Sequence, residues 1–225
     1  MITIVMAYYN NPTMLERHLR EWEKYPKGFQ AIIVDDGSEE PALPILQDSC
    51  PIPVKLFRVL IDKPWNQNGA RNLGMTYAEG WCLMTDMDHL LTSEEARKIN
   101  IEDYHSNLAY KPRRVKPDGS EYKRHPNTYL LTKDLYWSCG GYDEDFCGWY
   151  GTDATFRRQL GKSITNTDQF ALTLYGREVI HDASTRTLGR KGTEYHVSNS
   201  PRLRDKRKNG GEPVKPLQFP WVRQI

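Results

Sequence analysis

The sequence predicts an α/β fold, a doubly wound sheet with helices on both faces, and three observations predict it. Short β-rich runs alternate with helical spacings over about the first 90 residues. Three polar clusters fall where apolar runs stop: Tyr8-Tyr9-Asn10, Asp35-Asp36-Gly37-Ser38 and Asp86-Met87-Asp88-His89. Ligands of such sheets gather outside the carboxyl ends of the strands. The chain of 225 residues, 38% hydrophobic and 27% charged, can bury a real core.

The elements follow in order. Residues 3–7 are β-rich, and Tyr8 to Pro12 make a turn. Met14, Leu15, His18, Leu19 and Trp22 recur at helical spacing over 13–25, with Thr13 as the expected cap, Glu16 three residues on, and Gly28 as the stop. Residues 30–34 and 54–59 read as the second and third strands. A loop with Asn66, Asn68 and Gly69 leads into a helix over about 70–78, and 81–85 form a fourth strand. Residues 103–127 are basic and interrupted by Pro and Gly, which suits a loop or hairpin. Strand candidates follow at 128–132, 170–175 and 178–180, with a glycine- and aromatic-rich turn and a helix after Asp153 between them. From Thr185 there is little periodicity, and Pro201, Gly210, Gly211, Pro213, Pro216 and Pro220 argue against long elements.

The net charge of +2 hides an asymmetry: residues 1–185 carry 21 Lys and Arg against 26 Asp and Glu, and residues 186–225 carry 10 against 3. A basic tail could bind nucleic acid or an anionic surface, fold over a phosphate-bearing ligand, or simply be solvated. No apolar run is long enough to span a membrane, and residues 1–7 are expected to be a first strand and not a signal peptide. With Cys50, Cys82, Cys139 and Cys147 the only cysteines, the expectation is free thiols in a reducing cytoplasm.

Chemistry concentrates at the strand ends. Asp86 and Asp88 repel each other unless a cation or proton lies between them, and hard divalent cations take such oxygens while bridging phosphates. Acidic strand ends also serve plain turns. Asp35 and Asp36 could accept from a ribose or a base imide, or could cap a turn. Arg71, early in a helix, suits an anion, or is a surface arginine. Trp149 and Tyr150 offer flat apolar faces to a sugar. Asp153, at a helix start, is kept ionised and can act as a general base, or as an N-cap. His181 is a candidate third metal ligand, because imidazole suits Mn²⁺. His89, His105, His125 and His196 are less well placed.

Together these motifs resemble the family 2 glycosyltransferases of GT-A fold, especially members with a galactosyltransferase-type C-terminal half. The resemblance rests on Met6-Ala7-Tyr8-Tyr9-Asn10, Val34-Asp35-Asp36-Gly37-Ser38, Ala70-Arg71-Asn72-Leu73-Gly74, Asp86-Met87-Asp88, Gly140-Gly141-Tyr142-Asp143, Gly148-Trp149-Tyr150-Gly151-Thr152-Asp153 and His181, over about residues 2–182. It implies a Rossmann-like, nucleotide-diphospho-sugar transferase fold, a mixed sheet flanked by helices. The transferase domain would be 1–185, with a nucleotide-binding half at 1–100 and an acceptor half at 101–185. It further implies inverting transfer of a sugar from a nucleotide-sugar, most often a UDP-hexose or UDP-N-acetylhexosamine, to a glycan or other hydroxyl acceptor, with Mn²⁺ or Mg²⁺. Ala7, Tyr8, Asn10, Asp35, Asp36, Arg71 and Asp86 would bind the nucleotide. Asp88 and His181 would ligate the metal, with Asp86 a further candidate. Gly141, Trp149, Tyr150 and Thr152 would hold sugar or acceptor, and Asp153 would be the base. Arg186, Arg190 and Lys191 form a candidate diphosphate lid in the 186–225 tail. Thr152 stands where the family has an acidic residue, and Tyr150 where glycine is common.

Other classes fit less well. A haloacid-dehalogenase-type phosphatase places Thr four residues beyond its first Asp, where this chain has Leu90. A nucleotidyltransferase needs an N-terminal glycine-rich loop, and a dinucleotide oxidoreductase needs GxGxxG; neither is present. A catalytically inactive sugar- or nucleotide-binding module is the main alternative.

Overall fold

The structure, a computed structural model, describes residues 1–47, 50–63, 65–149, 154–175, 196–211 and 214–225. In chain order the first half runs β1 (Ile2–Tyr8), α1 (Pro12–Trp22), β2 (Phe29–Asp35), α2 (Leu43–Gln47), β3 (Val54–Val59), α3 (Gln67–Tyr77) and β4 (Trp81–Asp86). The second runs β5 (His89–Leu90), α4 (Ser93–Arg97), β6 (Ala109–Val115), β7 (Glu121–Tyr122), β8 (Tyr129–Thr132), α5 (Lys133–Ser138), α6 (Ala154–Leu160), β9 (Ile164–Leu174), α7 (Pro201–Asn209) and β10 (Trp221–Arg223).

Among the described residues one sheet is ordered β10-β3-β2-β1-β4-β8-β6-β9-β5, with β7 paired to β6. Strands β3, β2, β1 and β4 are parallel neighbours, as the alternation predicts. Beyond β4 the sheet becomes mixed: β8 lies antiparallel to β4 and β6, and β9 runs parallel to β6. Because side chains alternate along a strand, β1 sends Ile2, Ile4, Met6 and Tyr8 to one face, where Met14, Leu15 and Trp22 of α1 cover them. Val5 goes to the other face, with Ala70 and Leu73 of α3. Helix α3 lies so close that a Cβ on Gly74 would sit 2.5 Å from a Val5 methyl. Glycine here lets helix and sheet touch.

Several boundaries differ from expectation for physical reasons. Helix α1 is capped by Asn11, whose Oδ1 accepts from Met14 N–H at 3.3 Å, and not by Thr13; Pro12 takes the first helical position, where its missing N–H is harmless. The basic 103–127 segment does form a hairpin, β6–β7. Strand β9 begins six residues before the predicted start, under a polar run that conceals it. The C-terminal segment, expected to lack long elements, contains the nine-residue α7. Ser200 caps it, Pro201 opens it, and Gly210 ends it at φ 85°. Its weak periodicity reflects a single buried apolar residue, Leu203. Strand β10 then joins the sheet beside β3. The expected strand at 178–180 lies outside the described residues.

Candidate functional site

The carboxyl ends of β1, β2 and β4 and the first turns of α3 converge, as the topology requires. At β4, Asp86 Oδ1 accepts from Arg71 Nη2 and, at 3.1 Å, from Gln67 Nε2. Its Oδ2 faces His125 Nε2 at 3.5 Å. Burial alone would raise this carboxyl, but Arg71, His125 and His89 outweigh it and hold Asp86 down to about 2. The Arg71 guanidinium also lies over the Tyr142 ring, 5.0 Å from its centre. Asp88 points its Oδ1 at His89 Nδ1, 2.5 Å away. Its backbone C=O accepts from Tyr175 N–H, and the neighbouring Met87 C=O is 3.0 Å from His18 Nε2. The Asp86–Asp88 turn is thus tied to α1 and to the end of β9.

Two histidines that looked poorly placed in the sequence belong here. The rings of His89 and His125 lie close, with centres 4.5 Å apart and planes tilted by 41°. Ligand atoms of Asp86, His89 and His125 all lie within 4.8 Å of one another. A mixed carboxylate–imidazole set suits Mn²⁺, Zn²⁺ or a similar divalent ion better than Mg²⁺. Burial pushes His125 down to about 3, against the pull of Asp86, so its ring is neutral and able to ligate. No spacing rule flags His125, which reaches the site through the β6–β7 hairpin.

The predicted nucleotide residues divide. Asp36 accepts from Asn66 Nδ2 at 2.7 Å, and burial raises its carboxyl to about 7 in spite of that bond. Near neutral pH it can therefore donate as well as accept. Asn10, at φ 46°, links two loops: its N–H donates to Ser38 Oγ and its Oδ1 accepts from Glu40 N–H. Ala7 is half-buried on the α3 face. Asp35 is fully buried, and its oxygens accept from Ser38 N–H, Ala42 N–H and Arg58 Nη1 at 2.9–3.0 Å. That carboxylate holds the turn together. Tyr8 is also wholly buried, its hydroxyl donating to Glu40 C=O. The aromatic that stays half-buried at this end of β1 is Tyr9, which donates to Asp62 at 3.2 Å. Strict alternation along β1 would have found it, since Tyr8 shares the core face of Ile4 and Met6.

On the acceptor side, Gly141 sits at φ 67°, where a Cβ would meet Trp137, Asn72 and Tyr136 within 3.0 Å. Trp149 is half-buried against Phe146, Val197 and Leu203. Tyr150, Thr152, Asp153, His181, Arg186, Arg190 and Lys191 lie outside the described residues.

The acidic run after Gly141 anchors the C-terminal segment. Asp145 takes both Arg202 nitrogens at 2.6 and 2.8 Å, and Arg202 with Lys206 lowers its carboxyl to about 2 against partial burial. Lys206 also reaches Asp143 at 2.7 Å. Glu144 accepts from Leu217 N–H and from Asn72 of α3. Two cations of the basic tail are therefore turned onto acids of the body, and the reading of that tail as a nucleic-acid surface gains no support from them.

Comparison with known proteins agrees with this picture. The sequence model described as glycosyl transferase family 2 matches residues 3–182. The undecaprenyl-phosphate 4-deoxy-4-formamido-L-arabinose transferase of Pectobacterium atrosepticum is 29% identical over 104 residues, 44% of this chain and 32% of that protein. S. aureus TarS 1–349, solved with UDP-GlcNAc, superposes with a TM-score of 0.62 at 15% identity, over 78% of this chain and 58% of that one. GalNAc-T7, solved with UDP, GalNAc and Mn²⁺, gives 0.65 at 15% identity, over 92% and 50%. This chain thus spans about a third of its curated relative and half to three-fifths of these structures. The likeness to the solved proteins is one of fold, the GT-A arrangement.

Proposed function

The chain belongs to glycosyl transferase family 2, and from that premise we propose that it transfers a sugar from a nucleotide-sugar, a UDP-hexose or UDP-N-acetylhexosamine, to a hydroxyl acceptor with inversion and with a divalent cation. The observation that carries this reading is the grouping of Asp86, His89 and His125 beside Asp88 and Arg71, at the carboxyl end of the central parallel strands. The solved proteins with UDP-GlcNAc and with UDP and Mn²⁺ support the donor class and the metal.

A bound Mn²⁺ would neutralise charge developing on the departing diphosphate. Asp86 and Asp88, with His181 as a further ligand, would hold it. Arg71 keeps Asp86 ionised and places a fixed cation beside it. Asn10, Ala7 and Asp36 receive the nucleotide, with Tyr9 the half-buried aromatic nearby. Asp153 directly precedes α6 and would accept the acceptor's proton, while Trp149, Tyr150 and Thr152 shape the sugar and acceptor side. Arg186, Arg190 and Lys191 would close over the diphosphate.

The test is a thermal-shift screen of nucleotide-sugars with Mn²⁺, followed by transfer assays on the best binder. Asp153→Asn should retain UDP binding and lose transfer. Wild-type turnover in that variant would remove the base assignment, and no stabilisation by any nucleotide-sugar would remove the donor class.

A further inference from the structure

We infer that the two neighbouring histidines have different tasks: His89 is a positioning residue that aims Asp88, and His125 is the imidazole that ligates the cation. This rests on reading the Asp86–Asp88 turn as cation-binding.

The argument starts from Arg114. It is buried on β6, its Nε donating to Lys123 C=O at 2.7 Å, with its guanidinium 4.7 Å from the Tyr122 ring centre. Its Nη1 lies 3.1 Å from His89 Nε2. A guanidinium has only donors, so His89 Nε2 must be the acceptor. A neutral imidazole with an unprotonated Nε2 carries its proton on Nδ1. That N–H points at Asp88 Oδ1, 2.5 Å away. Both nitrogens of His89 are thus committed, one to Arg114 and one to Asp88, and the ring is 1% exposed. An orienting hydrogen bond of this kind is what fixes a metal-binding carboxylate.

His125 differs. Its Nδ1 is 3.0 Å from Thr128 Oγ1, and its Nε2 faces Asp86 Oδ2 at 3.5 Å. Arg71 and Gln67 both bond the other oxygen, Oδ1. Two donors each about 2.1 Å from one ion at a tetrahedral angle stand about 3.4 Å apart, so His125 Nε2 and Asp86 Oδ2 are already at the spacing of two ligands on one ion. The β6–β7 hairpin accounts for both roles: it carries Arg114 on one strand and leads directly to His125.

The experiment is ¹⁵N-histidine NMR of the full chain, metal-free and then titrated with Zn²⁺ as a diamagnetic probe, with His89→Gln and His125→Gln for assignment. The metal-free spectrum should show His89 as the Nδ1–H tautomer, and Zn²⁺ should shift His125 Nε2 while leaving His89 Nε2 unligated. Arg114→Gln should release the His89 tautomer and lower Zn²⁺ affinity roughly tenfold, within the range usual for a lost orienting partner. An Nε2–H tautomer at His89 overturns the positioning role. A Zn²⁺ shift centred on His89, or none at His125, overturns the ligand role. Zn²⁺ bound through His125 in a chain that transfers no sugar would refute the transferase reading and leave this one standing.

Discussion

His18, Asp35 and Asp36 show how much a buried polar side chain does at this sheet end. Burial pushes His18 down to about 4 and His125 to about 3, so both are neutral in the native state and charged in the unfolded one below about pH 6.5. Unfolding then takes up protons, and each histidine removes about 1.4 kcal/mol of stability per pH unit as pH falls from about 6.5 towards its native value. Asp36 acts in the opposite sense: its carboxyl is raised to about 7, so its contribution declines as pH rises from about 4 to 7. His18→Gln keeps an N–H for the Met87 C=O and removes the titration. Its urea-unfolding free energy should lose less on going from pH 6.5 to 4.5 than that of the wild type, and equal pH dependence would contradict the assignment. Asp35→Ala should cost about 3 kcal/mol, because two buried backbone N–H groups and the partly buried Arg58 guanidinium lose their acceptor. Asp36→Asn should instead weaken uridine-nucleotide binding with little change in the urea midpoint. If Asp35→Ala left stability intact and selectively lost nucleotide, the division between the two aspartates would be reversed.

Among elements, α7 and β10 were the hardest to foresee. Helix α7 offers one buried leucine, and its tie to the body is ionic, through Arg202 and Lys206 on Asp143 and Asp145. The charge asymmetry was visible in sequence, but the partners lie about 60 residues upstream and no local rule links them. Strand β10 has three residues, and Trp221 joins Phe57 and Tyr77 in one aromatic group. Phe219 packs its ring on Gly69 at the start of α3. Phe219→Ala should therefore cost about 3 kcal/mol, read by chemical denaturation, and should loosen the α3 end that carries Asn66. A loss below about 0.5 kcal/mol would mean that the segment merely rests on the surface. The β1–β4 crossovers, by contrast, were legible, because parallel strands buried on both faces need apolar runs and helix-period connections. The pair His89 and His125 was not legible, since their 4.5 Å approach depends on a hairpin register set by tertiary pairing.

At the scale of the molecule, the parallel half and the mixed half of the sheet meet between β4 and β8, and the acidic turn lies at that junction. One half brings Asp86, Asp88 and Arg71; the other brings Arg114, His125 and the end of β9. Among the described residues no helix is long and apolar enough to cross a membrane. The central claim is that this junction grips a cation which in turn grips a nucleotide diphosphate. Isothermal titration of UDP into the wild type and Asp88→Ala, each with and without Mn²⁺, tests it most directly. The account expects wild-type affinity to rise at least about tenfold with Mn²⁺ and the variant to lose that gain. Equal UDP affinity in all four titrations would contradict it.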